Sequence, residues 1–427
     1  MSAIITQEIE GAVRFLDEVF ESAPLHQVAF RLWEGTSWPD DRPRPATLVL
    51  KHPGALREMF VAGTEKGLAE AFLRDDFDIE GDIEAAFEIA DVLAQRRNGW
   101  LKSLRGCYRL NRLPAKQTTQ ASGRVFGAVD DGKHSLSRDR QAVSFHYDLS
   151  NDFYGLWLDQ RMIYSCAYFE RADEDLDEAQ EAKLRHICRK LRLRPGQRLL
   201  DIGCGWGGLA LFAARHFGVH VTGVTLSDRQ AELASKRVHD SALSDVVTIH
   251  LKDYRELAGA ESFNAIVSVG MSEHVGANQL ANYFKIAGVL LKRGGVFLNH
   301  AIGEGPRPRR SDGSSFINEY VFPDTDIPPL PEVLRAAESA ELEVRDVENL
   351  REHYALTLRC WVRRLEAAHT EALAFVDETT FRIWRLYMAG SAHSFARGQL
   401  AVYQTLLSKP DESGASRLPL TRRDWYP

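Results

Sequence analysis

Residues 199–214, "LLDIGCGWGGLALFAA", run from a short apolar stretch into four glycines and out into a segment with helical spacing. Gly203, Gly205, Gly207 and Gly208 therefore fall between a predicted strand and a predicted helix. Glycine suits such a place, because a bound ligand must come close to the backbone and a tight turn can require positive φ. Gly203, Gly205 and Gly208 satisfy GxGxxG literally, and acidic Asp228 follows Gly208 by twenty residues, as in a dinucleotide site. That pattern by itself is weak, and a purely structural glycine turn also accounts for it.

Asp201, two residues ahead of the first glycine, favours a different ligand. A carboxylate at a strand end can serve the positively charged amino-acid portion of S-adenosyl-L-methionine, whereas it would repel a pyrophosphate. Asp201, Gly203, Cys204 and Gly205 are accordingly expected along that cofactor. The second strand, in "VHVTGVTLSDRQ", ends at Thr225, where methyltransferases commonly place an acid for the ribose hydroxyls. Thr225, Leu226, Ser227 and Gln230 are candidates for the nucleoside, with helix capping as the competing role for Ser227 and Asp228. Asp253 and Tyr254, in "HLKDYREL", could address the adenine by hydrogen bonding and ring contact, or be plain turn residues.

Outward from the loop, "RLLDIG", "VHVTGV", "VVTIH", "NAIVSVG" and "GVFLNH" read as strands separated by helical stretches such as "GLALFAARHFG" and "QLANYFKIAGVLLKRGG". This alternation predicts an α/β fold with a doubly wound, largely parallel, Rossmann-like sheet. Upstream, Leu184, Ile187, Cys188 and Leu191 recur at helical spacing before the stop at Pro195-Gly196, so Cys188 is expected in the core. Residues 1–111 read as a smaller mixed α+β domain, 112–140 as a polar linker, and 141–427 as the methyltransferase domain. Beyond Pro331 the chain reads as one further strand, "LEVRDVENL", then mainly helix and a polar tail.

Composition narrows the class. The chain has 427 residues, 44% of them hydrophobic, which allows two or three cores of ordinary size. Its apolar runs are far shorter than the roughly 20 residues of a membrane-spanning helix, and a cytoplasmic location is expected. Five scattered cysteines, without a CxxC pair, suggest neither a disulfide framework nor a zinc site. A net charge of -7 argues against a surface that tracks nucleic acid.

The segments "HYDLSNDFYGLWLD", "YSCAYF", "LDIGCGWGGLA", "GVTLSDRQ", "DYREL", "SVGMSEHVG" and "FLNHAIG" together resemble the cyclopropane fatty acid synthase family, which includes the mycolic acid cyclopropane synthases. The resemblance covers residues from about 140 to 410, and more loosely "GLAEAFLRDDFDIEGD" near the N-terminus. It implies methyl transfer from S-adenosyl-L-methionine to an alkene, followed by loss of a proton from the added methyl group as a ring closes. Such chemistry needs a dry site rich in aromatic faces and one base. The family uses a bound bicarbonate, and its ligands carry over to Glu273, His300 and Tyr354, with backbone groups of Cys166 and Val269. Tyr164 and Ser165 are implied to flank the cofactor. A nucleophilic Cys166 would require a base and an electropositive setting beside it. Two positions depart from the family: Ser272 replaces the Phe common before the glutamate, and Ser391 a common Cys.

The resemblance further implies a cyclopropane-fatty-acyl-phospholipid synthase, with bicarbonate as a second cofactor. Its expected partners are unsaturated phospholipid acyl chains at the inner face of the cell membrane, with a homodimer as an open assembly state and no nucleic acid. Residues 1–111 would then be a lipid-associated domain. Trp33, Phe72, Phe77 and the arginines Arg307, Arg309 and Arg310 are candidates for membrane or headgroup contact, against a core role for the aromatics. Competing functions are a methylene- or methyl-branching lipid methyltransferase, a lipid-binding protein with a vestigial methyltransferase domain, and a small-molecule methyltransferase.

Overall fold

The computed structural model describes every residue of the chain except 1, 22, 96–109, 116–137, 139–140, 142–145, 147–148, 308–315, 323–324 and 427. Most of the expected linker, Cys107, Arg309 and Arg310 therefore lie outside the described residues. Packing divides the chain into two units: Met1–Val125 with Arg310–Val321 and Asp377–His393, and Phe126–Arg309 with Phe322–Val376 and Ser394–Pro427.

The first unit holds a four-stranded sheet of β1 (Val28–Arg31), β2 (Ser37–Trp38), β3 (Ala46–Leu50) and β4 (Phe77–Gly81), in the order β2-β1-β3-β4. Alternation along β3 turns Ala46, Leu48 and Leu50 inward. Phe15 and Phe20 of the helix Ser2–Phe20 meet Phe60 and Phe30 at ring distances of 5.4 and 5.9 Å, forming an aromatic core. Phe72 and Phe77 are also core: their rings lie 5.7 Å apart and both are buried. Arg382 caps this pair, stacking 4.9 Å over Phe72 and donating to its carbonyl at 2.9 Å. The core role weighed for these aromatics is therefore the one that Phe72 and Phe77 take; Trp33 is half-buried.

The second unit is built on seven strands: β5 (Arg198–Ile202), β6 (His220–Thr225), β7 (Val247–Leu251), β8 (Phe263–Val269), β9 (Leu291–Glu304), β10 (Glu343–Asn349) and β11 (Leu400–Ser408). Their order is β10-β11-β9-β8-β5-β6-β7, with β5 to β9 parallel and β11 antiparallel to both its neighbours. Being central, β5 is covered on both faces and so reads as a continuous apolar run. Leu199 joins the core cluster on one face, with Leu184, Ile187 and Val221, and Leu200 the cluster on the other, with Tyr283, Phe284 and Phe297. The six strands expected from the sequence appear as β5 to β10. β11 lies in the stretch that reads as mainly helix and has no counterpart among the expected strands, because a short apolar run such as "LAVYQTLLS" has no period that separates a buried strand from a buried helix.

Candidate active site

The carboxyl ends of β5, β6 and β8 open onto one cavity, the usual ligand position in an open parallel sheet. Tyr164, Ser165, Asp201, Gly203, Cys204, Gly205, Thr225, Leu226, Gln230, Asp253, Tyr254 and Val269 all line it. Gly203 needs its freedom: φ is +79°, and a Cβ there would stand 3.1 Å from Met271. A Cβ on Gly208 would come within 2.8 Å of the Arg161 carbonyl, so the helix Gly208–Phe217 can seat only with glycine at its start. Thr225 donates through Oγ1 to Gln230 Oε1 at 2.8 Å, which ties the strand end to the following helix. Ser227 is engaged in capping, accepting from Gln230 N at 3.3 Å, and Asp228 is exposed in that helix's first turn. Asp253 likewise caps a short turn with Glu256 and is held by Arg255 at 2.7 Å, although it keeps a place on the cavity wall.

Asp201 is the charged group of the glycine loop. Burial pushes its carboxyl up to about 7, against the opposing pull of Lys183, and its Oδ2 has no hydrogen-bond partner among the described residues. A buried acceptor with nothing to accept is costly unless a ligand completes it. The cavity, the loop and this acceptor fit S-adenosylmethionine: Asp201 would meet the cationic amino-acid end, and Tyr254 and Asp253 would stand at the nucleoside.

The second cluster grows from the end of β8. Val269 is the last β8 residue in register with β9, opposite His300, and Gly270 N donates to the His300 carbonyl at 2.8 Å. Beyond that pair the β9 backbone loses its β8 neighbour, and Glu273, on the turn Ser272–His274, takes over: its Oε1 accepts from Ile302 N at 2.7 Å. Burial raises the Glu273 carboxyl to about 7, and its Oε2 has no partner among the described residues. His300 is buried and pushed down to about 3, so its imidazole is neutral. Gln404, its register partner on β11, places Nε2 at 3.2 Å from His300 Nδ1. An amide NH2 can only donate, so Nδ1 accepts and the ring proton sits on Nε2, an unpartnered buried donor.

Tyr354 lies on the helix Arg351–Ala367, and Cys166 meets Leu350, the residue that precedes it. The Cys166 thiol donates to the carbonyls of Ala167 at 3.2 Å and Leu350 at 3.7 Å, and Leu350 O also accepts from Tyr354 N. Burial pushes this thiol well above its ordinary range, so it stays protonated and is no nucleophile. Trp361 lies 5.2 Å from Tyr164 on the cofactor cavity and 6.0 Å from Tyr354, so aromatic rings run from that cavity to Tyr354. Trp157 and Tyr154 extend the group, at 5.3 and 5.8 Å from Tyr164. Glu273 Oε2 and His300 Nε2, without partners among the described residues, are atoms that a small anion able to accept and share protons would complete.

Gln404 and Lys183 were missed by the sequence reading. Their signal was present: each is a polar residue inside an otherwise apolar strand or helix face, and buried polar groups call for a reason. Ser272 is buried beside Glu273, and Ser391 is buried in the first unit.

The mycolic acid cyclopropane synthetase family matches residues 134–405. A probable fatty acid methyltransferase of Pseudomonas putida is 41% identical over 400 residues, covering 93% of this chain and 95% of that protein. The cyclopropane-fatty-acyl-phospholipid synthase of Escherichia coli is 40% identical over 291 residues, 68% of this chain and 74% of that protein. A solved mycolic acid cyclopropane synthase, complexed with SAH and CTAB, is similar at TM-score 0.59 and 36% identity over 63% of this chain and 97% of that one. Match, fold and cofactor cavity agree: the chain belongs to the mycolic acid cyclopropane synthetase family and is an S-adenosylmethionine-dependent methyltransferase that modifies lipids.

Proposed function

We propose that the protein is a cyclopropane-fatty-acyl-phospholipid synthase, acting on the cis double bond of an unsaturated acyl chain with bicarbonate as the proton acceptor. The observation that carries this reading is the pair of buried atoms without partners among the described residues, Glu273 Oε2 on the turn after β8 and His300 Nε2 on β9. When bound, S-adenosylmethionine supplies an electrophilic methyl group and bicarbonate a base. His300 donates its Nε2 proton to hold the anion, with Gln404 fixing the tautomer from behind. Protonated Glu273 donates from Oε2 while Ile302 N anchors Oε1, so the carboxyl cannot swing away. Tyr164, Trp157 and Trp361 present ring faces that favour developing positive charge on carbon and keep water out.

The acyl chain would come from phospholipid at the inner face of the cell membrane, with the protein attached peripherally and residues 1–111 serving the lipid. No helix among the described residues is long and apolar enough to cross a membrane. A second reading, in which the methylated chain loses a different proton and becomes methylene- or methyl-branched, is favoured by the fuller coverage of the probable fatty acid methyltransferase and by Ser272 beside Glu273.

The deciding experiment incubates the protein with S-adenosylmethionine and liposomes of monounsaturated phospholipid, then analyses acyl chains by mass spectrometry before and after mild hydrogenation. A gain of one CH2 that resists hydrogenation is expected. A product of that mass that takes up hydrogen would establish the second reading, with an exocyclic double bond marking the methylene product and one within the chain the methyl-branched product, and product formed only without lipid would defeat both.

A further inference from the structure

Lys183 is a cation where packing alone would place an apolar residue. It lies on the helix Leu176–Lys190, on the same face as buried Gln180, Leu184 and Ile187, and is itself 1% exposed. Its Nζ donates to Ser165 Oγ at 2.9 Å, while Gln180 Nε2 donates to the Ser165 carbonyl at 2.9 Å. The helix thus grips Ser165 by both its side chain and its backbone. Lys183, Ser165 and Asp201 line the same cavity.

The direction of these hydrogen bonds fixes what the cavity can take. An ammonium has donors and no acceptor, so Ser165 Oγ must accept from Lys183. Its own O–H is left to donate, polarised by the positive charge behind it. The wall therefore offers a charge-assisted donor at Ser165 and, across the glycine loop, an unpartnered carboxylate oxygen at Asp201. That opposite pairing matches a zwitterionic α-amino acid end.

We propose that Lys183 is a positioning residue for the α-carboxylate of S-adenosylmethionine, acting through the Ser165 hydroxyl, while Asp201 receives the α-ammonium. Burial brings Lys183 down to about 8, with Asp159, Cys166 and Asp201 drawing it back up, so an arriving carboxylate secures its charge. The cofactor is then held by its amino-acid end independently of the nucleoside contacts at Thr225, Asp253 and Tyr254.

The test is titration calorimetry of the full chain with S-adenosylhomocysteine and with its decarboxylated counterpart, which keeps the ammonium and nucleoside and lacks only the carboxylate. Wild type is expected to favour the intact ligand by about tenfold to 100-fold, the worth of one charge-assisted hydrogen bond. Lys183→Met and Ser165→Ala are each expected to weaken the intact ligand by about that factor and to leave the decarboxylated one within about twofold of wild type. If Lys183→Met does not fold, Ser165→Ala carries the comparison. Equal weakening of both ligands, or a wild type indifferent to the carboxylate, would overturn the assignment.

Discussion

At the residue scale, the two ionisable groups of the proposed anion site make opposite demands on protons. Glu273, raised to about 7 by burial, holds its proton below that pH and can donate; above it, a carboxylate would face an anion. Turnover in the liposome assay is therefore expected to fall as pH rises through about 7. Glu273→Gln should remove that limb and lower kcat by about 10²-fold or more, the scale of a lost proton-sharing group, while the dissociation constant for S-adenosylhomocysteine stays within about twofold. Unchanged turnover in the variant would sink the assignment. His300 makes a different prediction, about stability. Its folded value of about 3 lies below the ordinary 6.5, so between these pH values the unfolded chain binds the extra proton. Its contribution is whole above about pH 6.5 and is lost as pH falls toward 3. Urea unfolding between pH 6 and 4 should show a steeper loss in wild type than in His300→Asn, by about 1.4 kcal/mol per pH unit for one proton. Equal slopes would mean that His300 is charged in the folded protein. Glu273, His300 and the glycine loop could be read from short motifs because each sits in a contiguous signature. Gln404 could not, since it meets His300 only through strand register 104 residues away.

At the element scale, the helix Leu176–Lys190 shows how one segment serves packing and site together. Its apolar face joins the core, Gln180 and Lys183 hold the cofactor wall, and its last turn is clamped to β10. There Lys190, fully buried, meets Glu348 at 2.5 Å and Asp346 at 3.3 Å, with His186 also on Glu348 at 2.8 Å. Burial alone would raise Glu348, but the hydrogen bond from His186 and the charge of Lys190 hold it down to about 2. Removing the cation leaves Glu348 with His186 alone and Asp346 with the half-exposed Arg422 alone, so Lys190→Met is expected to cost about 3 kcal/mol in urea unfolding. A loss below about 1 kcal/mol would place the cluster among ordinary surface pairs. The sequence showed this helix through its apolar period but was silent on its polar partners. For β11 it was misleading: burial on both faces erases the alternation that marks a strand, and only pairing with β9 and β10 identifies it.

At the scale of the whole molecule, the sequence showed that more than one core would form but not how the chain is shared between them. Residues 316–321 and 377–393 pack with the N-terminal residues although they follow the cofactor loop by a hundred residues or more, and no local period reports such a return. Each unit nevertheless keeps its own apolar interior: the aromatic group of Phe15, Phe20, Phe30 and Phe60 in the first, and the two clusters flanking β5 in the second. Every residue lining the cofactor cavity belongs to the second unit. A ligand stabilises only the states that bind it, so S-adenosylhomocysteine at 100 times its dissociation constant should add about 2.7 kcal/mol against openings that disrupt the second unit. Openings confined to the first unit should be untouched. Native-state hydrogen exchange can separate the two. Amides of β5, β6 and β8 are expected to gain about 100-fold in protection with ligand, while those of β1, β3 and β4 keep their ligand-free rates. Matching gains in both sheets would show instead that the two units open as a single cooperative body, so that cofactor occupancy reports to the first sheet through global unfolding alone.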